Sequence, residues 1–263
     1  MNVEAAQILQ AEPFNTDLQS IYKAQGFVRI RGVFDAQTMQ SLKRECDRLL
    51  SLQSLIQTDN IRCRWANHVV TNECRFDSFD PVIDLSPVVE RVAHHPELVR
   101  ILNHLYGESA CLFKDKLIYK PSGAPGYDLH QDYIGWSEFP RSFMTVMIAI
   151  DPSTPESGAT EFFGGYKDSL APEDGEFHRL PEQLVAGIQS EIPHLYPGDI
   201  ACFNGYTPHR SAPNLTDHSR RLLYLSYNAQ SDGGDMRRSH YDQYHAWLRE
   251  KYAQHGRTTV YFR

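Results

Sequence analysis

Apolar positions along this chain recur with two periods, and the change between them falls about a hundred residues in. Up to that point the spacing is helical. Asp17 to Gly26 reads as a short helix with Leu18, Ile21 and Tyr22 on one side. Phe27-Val28-Arg29-Ile30 alternates as a strand. Asp35 then offers an N-cap for a helix to about Leu52, whose apolar stripe is Met39, Leu42, Cys46, Leu49 and Leu50. A second helical stretch, Ser86 to Tyr106, is broken near Pro96, because proline lacks the N–H that a helix interior needs. Beyond it the period falls to two. Strands are expected over Cys111 to Tyr119, Phe143 to Ile150, Thr160 to Phe163, Asp199 to Phe203 and Leu222 to Tyr227. Turn signals such as Pro121-Ser122-Gly123-Ala124-Pro125-Gly126 and Gly164-Gly165 separate them. Many short strands with such turns predict an antiparallel sandwich or open barrel. Ala171 to Gln189 reads as an inserted loop or short helix on its rim, and a last helix, about Met236 to His255, as a cover for one sheet. The residues up to about Thr16 are expected to be loosely ordered.

Length and charge narrow the class. A chain of 263 residues without repeats is expected to form one domain, residues 1–263. No apolar run is long enough to cross a bilayer. The opening Met1-Asn2-Val3-Glu4-Ala5-Ala6-Gln7 lacks the basic-then-apolar pattern of a secretory leader, so a cytoplasmic protein is expected. Cys46, Cys63, Cys74, Cys111 and Cys202 are odd in number and scattered, which fits reduced thiols and argues against a thiolate zinc site. The net charge of −7 disfavours nucleic acid or an anionic membrane as partner, leaving a small molecule, with the chain a monomer or homodimer.

The chemistry is carried by His130 and Asp132, in Leu129-His130-Gln131-Asp132-Tyr133, and by His209, in Thr207-Pro208-His209-Arg210-Ser211. In an extended strand residues i and i+2 share a face, so His130 and Asp132 can grip one ion together while His209 closes the site from another strand. Two imidazoles and one carboxylate suit a divalent iron that keeps open positions. A second copy of the tripeptide, His240-Tyr241-Asp242, serves as a control. It lies in a helical stretch, where i and i+2 diverge by roughly 200°, and reads as an exposed helix face rather than a metal site.

Other residues surround that motif. Arg220 precedes an apolar strand, and its planar fork suits a carboxylate; Arg221 beside it reads as a surface ion pair. Ser211 can add a hydroxyl to the same carboxylate oxygens. Lys114, Lys116 and Lys120 share one strand face, and Lys116 is placed either to reach a carboxylate or to be a solvated lysine. Thr145 is a candidate for the same cavity, whereas Tyr119 reads as core. Arg62 and Arg64 alternate so that both can face a cavity and bind a carboxylate or phosphonate, or else lie on an exposed edge. Tyr133 and Asp128 flank the ligands and are candidate substrate contacts, Asp128 because it is two residues from His130.

With His130-Gln131-Asp132, Pro197-Gly198-Asp199 before a strand, His209-x-Ser211-x-Pro213-Asn214 and Arg220, the chain resembles the phytanoyl-CoA dioxygenase family of iron(II)/2-oxoglutarate oxygenases from roughly Phe27 to Tyr227. The resemblance implies a mainly β fold with flanking helices, a double-stranded β-helix (jelly roll, cupin-like) with a core of about residues 108–230. It implies Fe(II), 2-oxoglutarate and O2 as cofactor and cosubstrates. His130, Asp132 and His209 would be the metal ligands, and Arg220 would hold the distal carboxylate of 2-oxoglutarate. Trp136 matches an aromatic that lies beside the cosubstrate in the ectoine-hydroxylase branch. Related halogenases carry a small residue in place of the carboxylate, so Asp132 favours hydroxylation or a related oxidation. The implied substrate is a small polar, anionic or zwitterionic metabolite such as an aminophosphonate, an ectoine-like compound or a mycosporine-like amino acid. A non-catalytic metal-binding sensor or binding module of cupin type competes with this but has no use for Arg220. A zinc hydrolase competes too but lacks an evident general base.

Overall fold

The computed structural model describes residues 17–136 and 138–256. The stretch up to Thr16, expected to be loosely ordered, lies outside them. Helices dominate the first part: α1 (Asp17–Gln25), α2 (Ala36–Ser51), α3 (Pro87–Ala93) and α4 (Pro96–Tyr106), with strands β1 (Phe27–Ile30), β2 (Cys63–Asn67) and β3 (Cys74–Phe79) among them. The Asp35 carboxylate caps α2 by accepting from the Thr38 N–H at 2.7 Å. Met39, Leu42, Cys46 and Leu49 are buried along its inner stripe. Leu50 is instead 42% exposed, because successive helical residues are about 100° apart and Leu49 already faces the core. Ser86 caps α3, and Pro87 and Pro96 each occupy a first helical turn, so the stretch from 86 to 106 forms two helices.

The strand-rich part comprises β4 (Ala110–Ile118), β5 (Tyr127–His130), β6 (Met144–Ala149), β7 (Thr160–Phe163), β8 (Ser190–Glu191), β9 (Ile200–Asn204), β10 (His209–Ser211) and β11 (Leu222–Ala229), followed by helix α5 (Arg237–His255). They form two antiparallel sheets, a seven-stranded one in the order β1-β9-β6-β11-β4-β3-β2 and a four-stranded one in the order β5-β10-β7-β8. This is a jelly roll. β3 escaped the sequence pattern because its buried end carries Asp77 and Ser78, polar residues that read as a turn.

Helices α1–α4 cover the outer face of the large sheet, and the main core lies between them, with Val146, Ile148, Leu223 and Leu225 against Leu42, Leu49, Leu98 and Leu102. A smaller core joins the two sheets through Phe27, Met147, Phe162, Phe203 and Leu222. β6 is therefore buried on both faces and reads as a continuous apolar run. Across the inner face of the large sheet, register sets Lys114, Ser226 and Thr145 in one row and Lys116, Tyr224 and Met147 in the next. The segment 171–189 is mainly loop with one 3-10 turn (Glu182–Val185). Helix α5 lies against β4, its Tyr241 hydroxyl bonded to the Asp115 backbone. Among the described residues no helix is long and apolar enough to cross a membrane.

Candidate active site

Adjacent strands β5 and β10 pair so that His130 stands opposite His209, which puts the two imidazoles on one face with ring centroids 4.2 Å apart. Asp132 follows β5 by two residues and brings Oδ1 to 3.8 Å from Nε2 of each ring. One ligand atom from each of the three lies within 4.8 Å of the others. Nδ1 of His130 donates to the Asp128 carbonyl at 2.7 Å, and Nδ1 of His209 to the Thr207 carbonyl at 2.9 Å. A carbonyl only accepts, so Nδ1 carries the proton in each ring and the Nε2 lone pairs are left for an ion. Burial lowers the pKa of both histidines, which keeps them neutral. Burial pushes the Asp132 carboxyl up, but His209, Lys116, His130 and Lys114 outweigh it and hold the group ionised. The Thr145 hydroxyl donates to Asp132 Oδ2 at 3.1 Å and is itself bonded to Ser226, which fixes the carboxylate's orientation. Two neutral nitrogens and an anionic oxygen on one side of a point fit ferrous iron with positions left open.

A second anchor lies beyond. Arg220 is 2% exposed, and its Nε and Nη1 are buried without a hydrogen-bond partner among the described residues. Bare guanidinium N–H groups in the interior carry a large desolvation cost, which an anionic ligand would offset. The fork suits one end of a dicarboxylate. Ser211 Oγ accepts from Lys120 Nζ at 3.1 Å and from the Tyr127 N–H at 3.2 Å, so its own O–H is left to donate. A cavity open to solvent at its mouth takes in the triad and Ser211. Lys116, Trp136, Thr145 and Arg64 also line it. Trp136 is held by a 2.5 Å bond from its indole N–H to the Gly175 carbonyl, and the Lys116 ammonium lies 4.8 Å from the Tyr224 ring centroid.

Several expected positions differ. Arg62 precedes β2 and turns away to Asp84 at 2.8 Å, so only Arg64 of that pair enters the cavity. Asp128 is exposed and paired with Arg179. A bulge between β5 and β10 sets Ser211 opposite Tyr127 and His209 opposite His130, so an extra residue on β5 breaks the alternation that placed Asp128 on the His130 face. Tyr133 packs on Tyr206 and Phe139 instead of lining the cavity. Lys120 lies past the end of β4 with φ 39°, off the Lys114 face, and its ammonium bonds the Gly158 and Ala212 carbonyls as well as Ser211. Arg221 makes a buried ion pair with Asp151, rather than a surface one. His240 is 5% exposed and stacked on Tyr244 within the cavity wall, not on an exposed face, because α5 turns that side toward β4. The sequence reading missed Asp80, Phe177 and Tyr244, whereas Lys114, one of the basic residues it grouped on a single strand face, does line the cavity.

Residues 22–222 match the family model of phytanoyl-CoA dioxygenase (PhyH). The chain is 26% identical over 228 residues to a 2-aminoethylphosphonate dioxygenase from an uncultured bacterium, covering 84% of each. It is 37% identical over 150 residues to a methylphosphonate hydroxylase of Gimesia maris, covering 57% of this chain and 55% of that one. Among solved structures, iron-bound EctD from S. alaskensis superposes with TM-score 0.70 at 20% identity, covering 86% of this chain and 81% of its own. The nogalamycin-biosynthesis epimerase SnoN does so with TM-score 0.67 at 23% identity, covering 81% and 82%. The chain belongs to the phytanoyl-CoA dioxygenase family. It is an oxidoreductase that uses iron(II), 2-oxoglutarate and molecular oxygen.

Proposed function

We propose that the enzyme hydroxylates a small phosphonate or closely similar anionic metabolite, with His130, Asp132 and His209 as iron ligands. Arg220 and Ser211 would hold the distal carboxylate of 2-oxoglutarate. Bound iron and 2-oxoglutarate supply the oxygen chemistry: 2-oxoglutarate becomes succinate and CO2 while a substrate C–H becomes C–OH. The protein's part is orientation and exclusion of water. Thr145 fixes Asp132, Trp136 walls the cavity against helix α5, and Arg220 would set the cosubstrate's reach. The observation that carries this reading is the convergence of three ligand atoms within 4.8 Å, together with a buried guanidinium whose Nε and Nη1 have no hydrogen-bond partner among the described residues. That guanidinium has no task in a sensor or sugar-binding module. Phosphonate as the substrate class rests on the two phosphonate-oxidising relatives and on the cations Arg64, Lys114 and Lys116 in the cavity wall.

Anaerobic titration with iron(II) and 2-oxoglutarate tests the cofactor roles. A weak visible charge-transfer band is expected, lost in Asp132→Ala. In Arg220→Ala it should need about a hundredfold more 2-oxoglutarate, since a bidentate charged pair is worth roughly 2–3 kcal/mol. Unchanged 2-oxoglutarate affinity in Arg220→Ala would sink the anchor assignment.

A further inference from the structure

The cavity continues past the triad, and its far wall has a charge pattern that restricts what it accepts. Lys114 Nζ lies 3.5 Å from Asp80 Oδ2 and 4.2 Å from the Tyr244 ring centroid. Arg64 Nη2 lies 3.7 Å from the same Asp80 oxygen and is 4% exposed. Tyr241 adds a hydroxyl to Asp80 at 3.1 Å. One carboxylate thus serves two cations and a phenol. Lys116, one pleat nearer the Arg220 end, has no carboxylate partner among the described residues and contributes to holding Asp132 ionised. Arg210 lines the cavity too, but Glu161 and Glu182 neutralise it. His240 Nε2 is buried there without a partner, on a ring that burial and then Lys114 keep neutral.

With iron and 2-oxoglutarate in place, as proposed above, the charges do not cancel. Among the residues lining the cavity, Arg64, Lys114 and Lys116 with a divalent ion face Asp80, Asp132 and the one cosubstrate carboxylate that Arg220 would leave unpaired, so two positive charges remain in a partly desolvated space. Such an excess favours a ligand that brings two negative charges in one group. A phosphonate head can carry two, its second proton being drawn off by the neighbouring cations, whereas a carboxylate carries at most one. The same wall disfavours a ligand ammonium. The only acids lining the cavity among the described residues are Asp80 and Asp132, and both are already engaged. Reach also matters. Lys114 stands two strands from Thr145 across the large sheet, roughly 10 Å between backbones, and Thr145 touches Asp132. An oxyanion on Lys114 therefore leaves room for only a short tail between it and the triad, and Phe139, Phe143, Ile134 and Trp136 make that space apolar.

We propose that Lys114, with Arg64 and Lys116 beside it, forms a subsite for a doubly charged oxyanion, and that it selects short alkylphosphonates with an uncharged tail. The proposal rests on the iron/2-oxoglutarate reading above. In the reaction one tail C–H becomes C–OH. One atom of O2 enters that hydroxyl and the other enters succinate as 2-oxoglutarate loses CO2.

The test compares ethylphosphonate, 2-aminoethylphosphonate and propanoate, which share a two-carbon tail and differ in the amine or the head. Anaerobic enzyme carrying iron(II) and 2-oxoglutarate is titrated with each, following the visible band, and succinate release is then measured in air. Ethylphosphonate should shift the band and give kcat/KM at least tenfold above 2-aminoethylphosphonate and a hundredfold above propanoate. Lys114→Met should raise the ethylphosphonate KM at least tenfold with 2-oxoglutarate affinity within twofold, and Lys114→Arg should recover most of the loss. Equal or better turnover of 2-aminoethylphosphonate or propanoate would overturn the proposal, as would an unchanged KM in Lys114→Met. Absence of any band with iron(II) and 2-oxoglutarate would instead strike the underlying reading. A band that forms but does not respond to ethylphosphonate strikes the subsite alone.

Discussion

The tripeptide pattern His-x-Asp occurs twice, and the two copies show how backbone geometry assigns chemistry. His130 ends β5 and Asp132 follows two residues later, where the chain brings both toward one point, and the opposed strand adds His209. His240 and Asp242 lie in α5, where the same spacing sends the first inward and the second to solvent. His240 is nonetheless buried in the cavity wall. The second copy therefore contributes one residue to the site and no metal geometry.

The largest expected effect separates the copies outright. Asp132→Ala should lower turnover by about three orders of magnitude, ~4 kcal/mol of barrier. Retention of a tenth of the activity would break the distinction. A smaller effect tests what orients the carboxylate. Thr145→Val removes the hydroxyl bonded to Asp132 at nearly constant volume and should weaken iron binding about tenfold, as partners of metal ligands generally do. A chelator competition titration reads this directly.

Acid sensitivity distinguishes the histidine of the second copy. Burial and then Lys114 lower its pKa from 6.5 to about 3. Between those values the unfolded chain binds a proton that the folded chain refuses, so stability is lost as pH falls through that window. The slope is at most about 1.4 kcal/mol per pH unit. The Tm of His240→Phe should fall less between pH 7 and pH 5 than that of the parent in the same metal state; parallel curves would contradict the burial. The smallest effect is expected at Asp242. Asp242 is exposed, so Asp242→Asn should leave turnover within twofold and Tm within about a degree, since surface changes of this kind cost within ±0.5 kcal/mol.

Much of this was legible in the residues. The caps at Asp35 and Ser86, the proline break at Pro96 and the apolar run of β6 are local signals, and local signals survive folding. The triad was legible because His130 and Asp132 sit two residues apart, although Asp132 lies in the bend after β5 rather than on the strand face that the spacing predicted. Three of the failures share an origin. The bulge opposite Ser211 turned Asp128 outward, the turn before β2 separated Arg62 from Arg64, and the end of β4 took Lys120 off its expected face. Each is a one-residue departure from regular alternation, which no periodicity announces. The Asp80 cluster was invisible for another reason. It is assembled from β2, β4, α5 and the loop after β3, and only packing brings those together.

That assembly gives α5 a separate standing. The stretch matched to the family ends at residue 222, before the helix begins, yet His240 and Tyr244 form part of the chamber's wall. One wall of the proposed substrate chamber is thus built partly from a helix beyond the matched stretch, while the triad sits within that stretch. Exchanging the side chains along that wall should reset which guests are admitted and leave the triad intact.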